Sequence, residues 1–182
     1  MDILDFFQLN AGKWFTHRTT QHLMSHQSRG SQSTWLIKWL DQHSMEIYEA
    51  CQRMTIASHS ILGGLQVTNE PMASNPASKG KMGQPPTSLL LVLPDSTHIT
   101  RGQILQTASV KKGETRYHFG LDDSLTLVTQ YPEAFSEERI WFASPNLRLR
   151  STLVKTTDNT SLVSFASEIR LGVPQPKSPS EG

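Results

Sequence analysis

The chain of 182 residues has a single cysteine, Cys51, which excludes an internal disulfide and any multi-cysteine metal site. It has no long apolar run. The longest, Leu89 to Leu93, falls far short of the ~20 residues that a membrane-spanning helix requires. No charge sign dominates. A formal net charge of +1 and a pI near 7.9 lack the basic surplus of a nucleic-acid binder. Residues 1–9 carry Asp2 and Asp5 and no basic residue, so a secretory leader is not expected. The seven histidines show no metal-ligand spacing, and His17 with His22 read as decoration of a strand. These absences predict a soluble, cytoplasmic protein with no metal and with neither nucleic acid nor membrane as partner.

What is present suits one globular domain. An apolar fraction of 36% over this length supports a core without disulfides or metals, here placed at residues 1–172. Residues 173–182, with three prolines and two serines, read as a disordered tail. Asp2 can cap a short helix whose stripe is Ile3, Phe6 and Phe7, ended by Gly12. Ser44 can cap a second helix reaching Arg53, with Ile47, Tyr48, Cys51 and Met54 on one stripe. Cys51 there reads as a small buried hydrophobe rather than a reactive thiol.

The rest is strand and turn. Thr16 to Met24 and Thr34 to Leu40 read as strands joined by a turn at Ser28, Gly30, Ser31 and Ser33. After Gly63 and Gly64 come Leu65 to Thr68 and then a long loop, Glu70 to Pro86, rich in Pro, Gly, Ser, Ala and Asn. Strands are expected at Ser88 to Leu93, Gln103 to Ser109, Thr115 to Gly120, Leu125 to Tyr131, Glu137 to Ala143, Leu147 to Lys155 and Ser161 to Leu171. Their even spacing predicts a meander that closes into a barrel or sandwich.

The chemistry concentrates in Ser136 to Thr152, SEERIWFASPNLRLRST. Pairing centred on Pro145 sets Phe142 opposite Arg148, Ile140 opposite Arg150 and Glu138 opposite Thr152. These residues then share one sheet face, while Glu137, Arg139, Trp141, Leu147, Leu149 and Leu153 share the other. Two readings stand. Either the leucine and Trp141 face is the core and the arginines are solvated, or the arginines point into a cavity and hold an anion. Paired guanidiniums match carboxylates bidentately, which gives the second reading its chemistry.

This stretch resembles the signature of the S-type phycobiliprotein lyases. The resemblance extends to Met1–Asp2–Ile3 with Phe6–Phe7, and to Ala11–Gly12–Lys13–Trp14–Phe15 with Arg18–Thr19. It continues through Leu62–Gly63–Gly64, Asp123 to Thr129 before Tyr131, and Ser164 to Leu171. It implies an all-β fold, a lipocalin- and fatty-acid-binding-protein-like antiparallel barrel of about ten strands with short helices. It implies non-covalent binding of phycocyanobilin or another bilin, and addition of a phycobiliprotein cysteine thiol to the ring A ethylidene. Glu138 is implied as the catalytic carboxylate, with Arg18, Arg148, Arg150 and Phe142 contacting the bilin. The implied partners are phycobiliprotein apo-subunits of phycocyanin or allophycocyanin type, and a second lyase subunit in a homo- or heterodimer. The family's tryptophan after the double glycine has no counterpart in Leu65 to Pro71. A weak grip by the isolated chain, strengthened by a second family member, is therefore expected. The rivals are a non-catalytic bilin chaperone and a carrier of another small amphiphile.

Overall fold

The computed structural model describes residues 1–70, 86–107, 113–158 and 161–172. The tail from residue 173, most of the loop expected between Glu70 and Pro86, and the end of the strand expected to reach Ser109 lie outside these residues. The described chain runs α1 (Ile3–Leu9), β1 (Gly12–His22), β2 (Gln27–Asp41) and α2 (Met45–Met54). Then follow β3 (Gly63–Glu70), β4 (Thr87–Pro94), β5 (Arg101–Gln106), β6 (Glu114–Phe119) and β7 (Leu125–Tyr131). β8 (Ala134–Ser144), β9 (Leu147–Thr156) and β10 (Ser161–Leu171) complete it. Each strand pairs antiparallel with the next, and β10 returns to β1, giving a closed ten-stranded barrel. Closure leaves no edge strand to be protected.

Both helices are where the sequence puts them. The Asp2 side chain accepts from Asp5 N at 2.7 Å and starts α1, whose C-cap is Asn10. Ser44 caps α2 through Ile47 N at 3.4 Å. The helices cover different surfaces. α1 sends Ile3, Phe6 and Phe7 into the barrel, where they pack with Val92, Tyr117, Phe119, Leu125 and Ile140. α2 lies outside, pressing Ile47, Ala50 and Cys51 onto Leu91 with Leu89, Leu93 and Leu105 around it. Cys51 is 1% exposed and burial pushes its thiol pKa up, as suits a core residue.

The double glycine serves both surfaces. A Cβ on Gly63 would stand 2.2 Å from the Trp39 ring, and one on Gly64 would stand 2.6 Å from Ile47 Cδ1. Consecutive strand residues face opposite sides. Gly63 thus makes room for the inner aromatic core and Gly64 for the seat of α2.

One expectation fails. The first hairpin does not turn at Ser28 to Ser33. It turns at residues 23–26, with His26 at φ 54°, and β2 begins at Gln27. Ser28 to Ser33 pair in register with Gln21 to Thr16 of β1. Their turn-forming composition is overridden because β1, itself held on its other side by β10, supplies every one of them with a ladder partner.

Candidate functional site

The β8–β9 register is the one expected: Phe142 faces Arg148, Ile140 faces Arg150 and Glu138 faces Thr152. Of the two face assignments, the structure rejects the one with a leucine core. Arg148 and Arg150 point into the barrel, and Trp141, Leu147, Leu149 and Leu153 face outward. The guanidiniums are tolerated inside because carboxylates were buried with them.

Glu168 on β10 is the hub, and it is 1% exposed. Arg148 Nε donates to Glu168 Oε2, and Arg150 Nε lies 3.4 Å from Glu168 Oε1. Thr16 Oγ1 also donates to Glu168, at 3.4 Å. Arg150 Nη1 donates to Glu138 Oε2 at 3.1 Å, and Thr152 Oγ1 donates to Glu138 Oε1 at 3.4 Å. The arginine at 148 is buried and held from two further directions. Its Nη1 donates to Asn10 Oδ1, and its guanidinium carbon sits 4.8 Å from the centre of the Trp14 ring. Arg170 covers the same ring at 4.3 Å and donates to the carbonyls of Leu9, Ala11 and Pro145. Trp14 thus contacts two cations, with its own Nε1 donating to Asn10 O at 2.8 Å.

The electrostatics follow from burial and pairing. Burial works against the Glu168 carboxylate, but the Arg150 and Arg148 charges outweigh it and hold its pKa below the usual value. Burial, with repulsion from Arg150, pulls Arg148 down to about 10, so it stays charged near neutrality. Burial opposes the charge on Arg150 too, yet Glu138 and Glu168 raise its pKa.

Above this network lies a cavity of about 190 Å³. Arg18, Arg148, Arg150, Glu138 and Glu168 form its charged wall. Phe7, Trp35, Ile37, Leu65, Val67, Leu90, Ile104, Leu125, Leu127 and Ile140 form the apolar remainder. Arg18, Arg148, Arg150 and Glu138 are therefore brought together. Phe142 is not on the wall: its ring packs against Phe6 at 5.2 Å and Trp14 at 6.0 Å. Among the described residues Arg18 makes no ion pair, and Arg150 Nε is buried with no hydrogen-bond partner. The cavity thus offers the Arg18 guanidinium and, in Arg150 Nε, a buried donor whose contact with Glu168 is long.

Glu168, Asn10, Trp14, Trp35 and Arg170 were missed as members of this site. The signal for Glu168 and Arg170 was present in Ser164, Ala166, Glu168 and Arg170, which alternate with Val163, Phe165, Ile169 and Leu171. Period two marks the two faces but does not say which is inside, and the apolar set invites the wrong choice. Among the described residues no group of three or more His, Cys, Asp or Glu side chains is arranged to hold a metal.

Fold and site together define a small closed barrel with a guanidinium-rich wall facing an otherwise apolar cavity. The model of the CpeS-like protein family matches residues 2–171, and the chain belongs to that family. It is 35% identical to the chromophore lyase CpcS/CpeS of Thermosynechococcus vestitus over 97% of this chain and 96% of that one. The phycocyanobilin lyase subunit CpcS of Picosynechococcus is 28% identical, over 93% of this chain and 86% of its own. The S-type phycobiliprotein lyase CPES of Guillardia theta superposes with a TM-score of 0.77 at 22% identity. That alignment covers 96% of this chain and 95% of the other, so the two share the fold.

Proposed function

We propose that this chain is a bilin lyase: it holds an open-chain tetrapyrrole without covalent attachment and presents it to a cysteine of a phycobiliprotein subunit. The observation that carries this is the charge of the cavity. Three guanidiniums (Arg18, Arg148, Arg150) face two carboxylates (Glu138, Glu168), leaving one positive charge. A bilin with two ionised propionates and a protonated tetrapyrrole brings one negative charge, and the complex closes neutral. Arg18 and Arg150, which have donors to spare, take the propionates. Glu138, on the same wall and bonded to Arg150, favours the protonated, more electrophilic form of the tetrapyrrole. The acceptor sulfur bonds to the ethylidene carbon, the thiol proton ends on the tetrapyrrole, and nothing leaves.

Catalysis here is positioning, which at best supplies ~7–11 kcal/mol of a barrier. No nucleophile is needed from this chain. The apolar wall suits the flat chromophore, and Trp35 supplies an aromatic surface although β3 has none.

The test is a visible-absorption titration with phycocyanobilin, followed by addition of an apo-phycobiliprotein, with and without a related family member. Colour that survives denaturation on the acceptor supports the lyase. Binding without transfer in either mixture indicates a chaperone, and no binding at all indicates a carrier of some other amphiphile.

A further inference from the structure

We propose that Trp35 and Asn69 form a subsite for a lactam ring, and that it receives the terminal ring of the bilin that does not carry the ethylidene. This rests on the bilin reading and adds to it which end of the tetrapyrrole enters the barrel. The four tryptophans are not equivalent. Among the described residues Trp14 has Phe142, Arg148 and Arg170 against its ring, Trp39 has Phe7, and Trp141 has Phe165. Trp35 alone has no such partner, and it lines the cavity. Phe7, the other aromatic of the lining, is buried and taken up by Phe6, Trp39 and Tyr117. Trp35 is also held in place. Its Nε1 donates to Ser33 Oγ at 2.9 Å, which ties the indole edge to its own strand.

The cross-strand neighbour supplies the polar half. Asn69 of β3 pairs directly with Trp35, so the two side chains start ~5 Å apart on one face. That face is the inner one, because Asn69 continues the alternation of Leu65 and Val67, which line the cavity. Asn69 Oδ1 is buried with no hydrogen-bond partner. Buried acceptors are nearly always satisfied, so an unmet one beside an open aromatic ring marks where a ligand donor belongs.

A five-membered lactam fits both halves. Its ring is flat, and its N–H and C=O lie on one edge. A carboxamide presents acceptor and donor on one edge in the same way, so the lactam N–H donates to Asn69 Oδ1 and Asn69 Nδ2 donates to the lactam C=O. The wall opposite Trp35 is apolar. β7 lies diametrically across the ten-stranded barrel from β2 and contributes Leu125 and Leu127. A ring stacked on Trp35 is thus closed in by leucines. With the propionates of the middle rings at Arg18 and Arg150, one terminal ring lies at Trp35. The other, with the ethylidene, stays outside for the acceptor thiol. A flat slot favours a bilin conjugated through all four rings, such as phycocyanobilin. Phycoerythrobilin fits it less well, because its saturated last bridge bends the same ring out of plane.

Both bilins are titrated by visible absorption into the wild type, Trp35→Leu, Trp35→Phe and Asn69→Leu, with Arg150→Ala beside them. Trp35→Leu and Asn69→Leu should each bind phycocyanobilin about tenfold more weakly, through loss of stacking or of a hydrogen bond, and Trp35→Phe should recover most of the first loss. The wild type should prefer phycocyanobilin about tenfold, a gap of ~1.4 kcal/mol, and both variants should narrow it. Asn69→Leu should at the same time raise the melting temperature of the ligand-free protein, because it removes an unpaired buried acceptor. A side chain that served the fold alone would move stability and affinity in the same direction. Should Trp35→Leu fail to fold, Asn69→Leu carries the test. Unchanged phycocyanobilin affinity in the folded variants, with Arg150→Ala weakened, overturns the subsite and leaves the bilin reading standing. So does a wild type with equal affinity for the two bilins. A wild type that binds neither overturns both.

Discussion

Glu168 pairs with two guanidiniums at once, and that makes it the most sensitive single residue of the barrel. Its folded-state pKa lies below the ordinary 4.5. Its contribution to stability is therefore complete above that value and is lost as pH falls through the lowered one. Removing one partner from a buried ion pair strands the other. Glu168→Gln should cost about 3 kcal/mol at pH 7, read from urea midpoints, with the gap to wild type closing in acid. A gap that stays constant with pH would show that the carboxylate charge is not what matters. The arginines differ from each other. Arg148 is buried and ties Glu168 to Asn10, so Arg148→Ala should lower the melting temperature more than it lowers affinity. Arg150→Ala should weaken bilin binding by roughly 1.5–3 kcal/mol, the range for a hydrogen bond to a charged group. Arg150→Lys should recover little of it, since a point charge does not replace a fork. Equal titrations for wild type and both variants would remove Arg150 from the grip.

At the scale of elements, α2 is held by its seat and ended under strain. Thr55 closes it in the left-handed conformation, φ 57°, a poor place for a β-branched residue. Thr55→Gly should stabilise by about 0.5–1 kcal/mol, since the relief of ~1–2 kcal/mol exceeds the extra freedom of the unfolded chain. The seat is tested by Gly64→Ala, whose Cβ would crowd Ile47 Cδ1, at an overpacking cost of about 1–3 kcal/mol. Ile47→Val removes the crowding atom, and the double variant should cost less than the sum of the singles in thermal or urea unfolding. Strict additivity would show that α2 sits elsewhere. The elements that were legible are those where local and tertiary signals agree. Both helices carry a cap and a stripe, and the β8–β9 hairpin carries Pro145–Asn146 between strands of matching length. The first turn was illegible because Ser28 to Ser33 have the composition of a turn but the ladder partners of a strand. Only the register of β1 against β2 decides between them.

For the molecule as a whole, the strand count and meander could be read from spacing, but inside and outside could not. A barrel with charges within and Val163, Phe165 and Ile169 without inverts the usual pattern, so the arginines looked solvated and the leucines looked buried. The family resemblance, which rests on the order of residues rather than on their polarity, pointed inward where polarity did not. The size of the cavity then bears on how the ligand sits. At about 190 Å³ it is smaller than the ~300–1,000 Å³ that usually enclose a drug-sized ligand, and a tetrapyrrole is no smaller than that. With α1 filling one end of the barrel, the chromophore has only the other end from which to emerge. On the proposed grip, in which the propionates reach Arg18 and Arg150, the central rings are held and a terminal ring protrudes. If the protruding ring is the one with the ethylidene, an acceptor cysteine reaches it without any opening of the barrel. Bound bilin should then react with a small soluble thiol, such as glutathione, within about threefold of the rate of free bilin, followed as a blue shift in absorption. Protection by tenfold or more would mean that the reactive ring is enclosed, and that the barrel opens when the acceptor arrives.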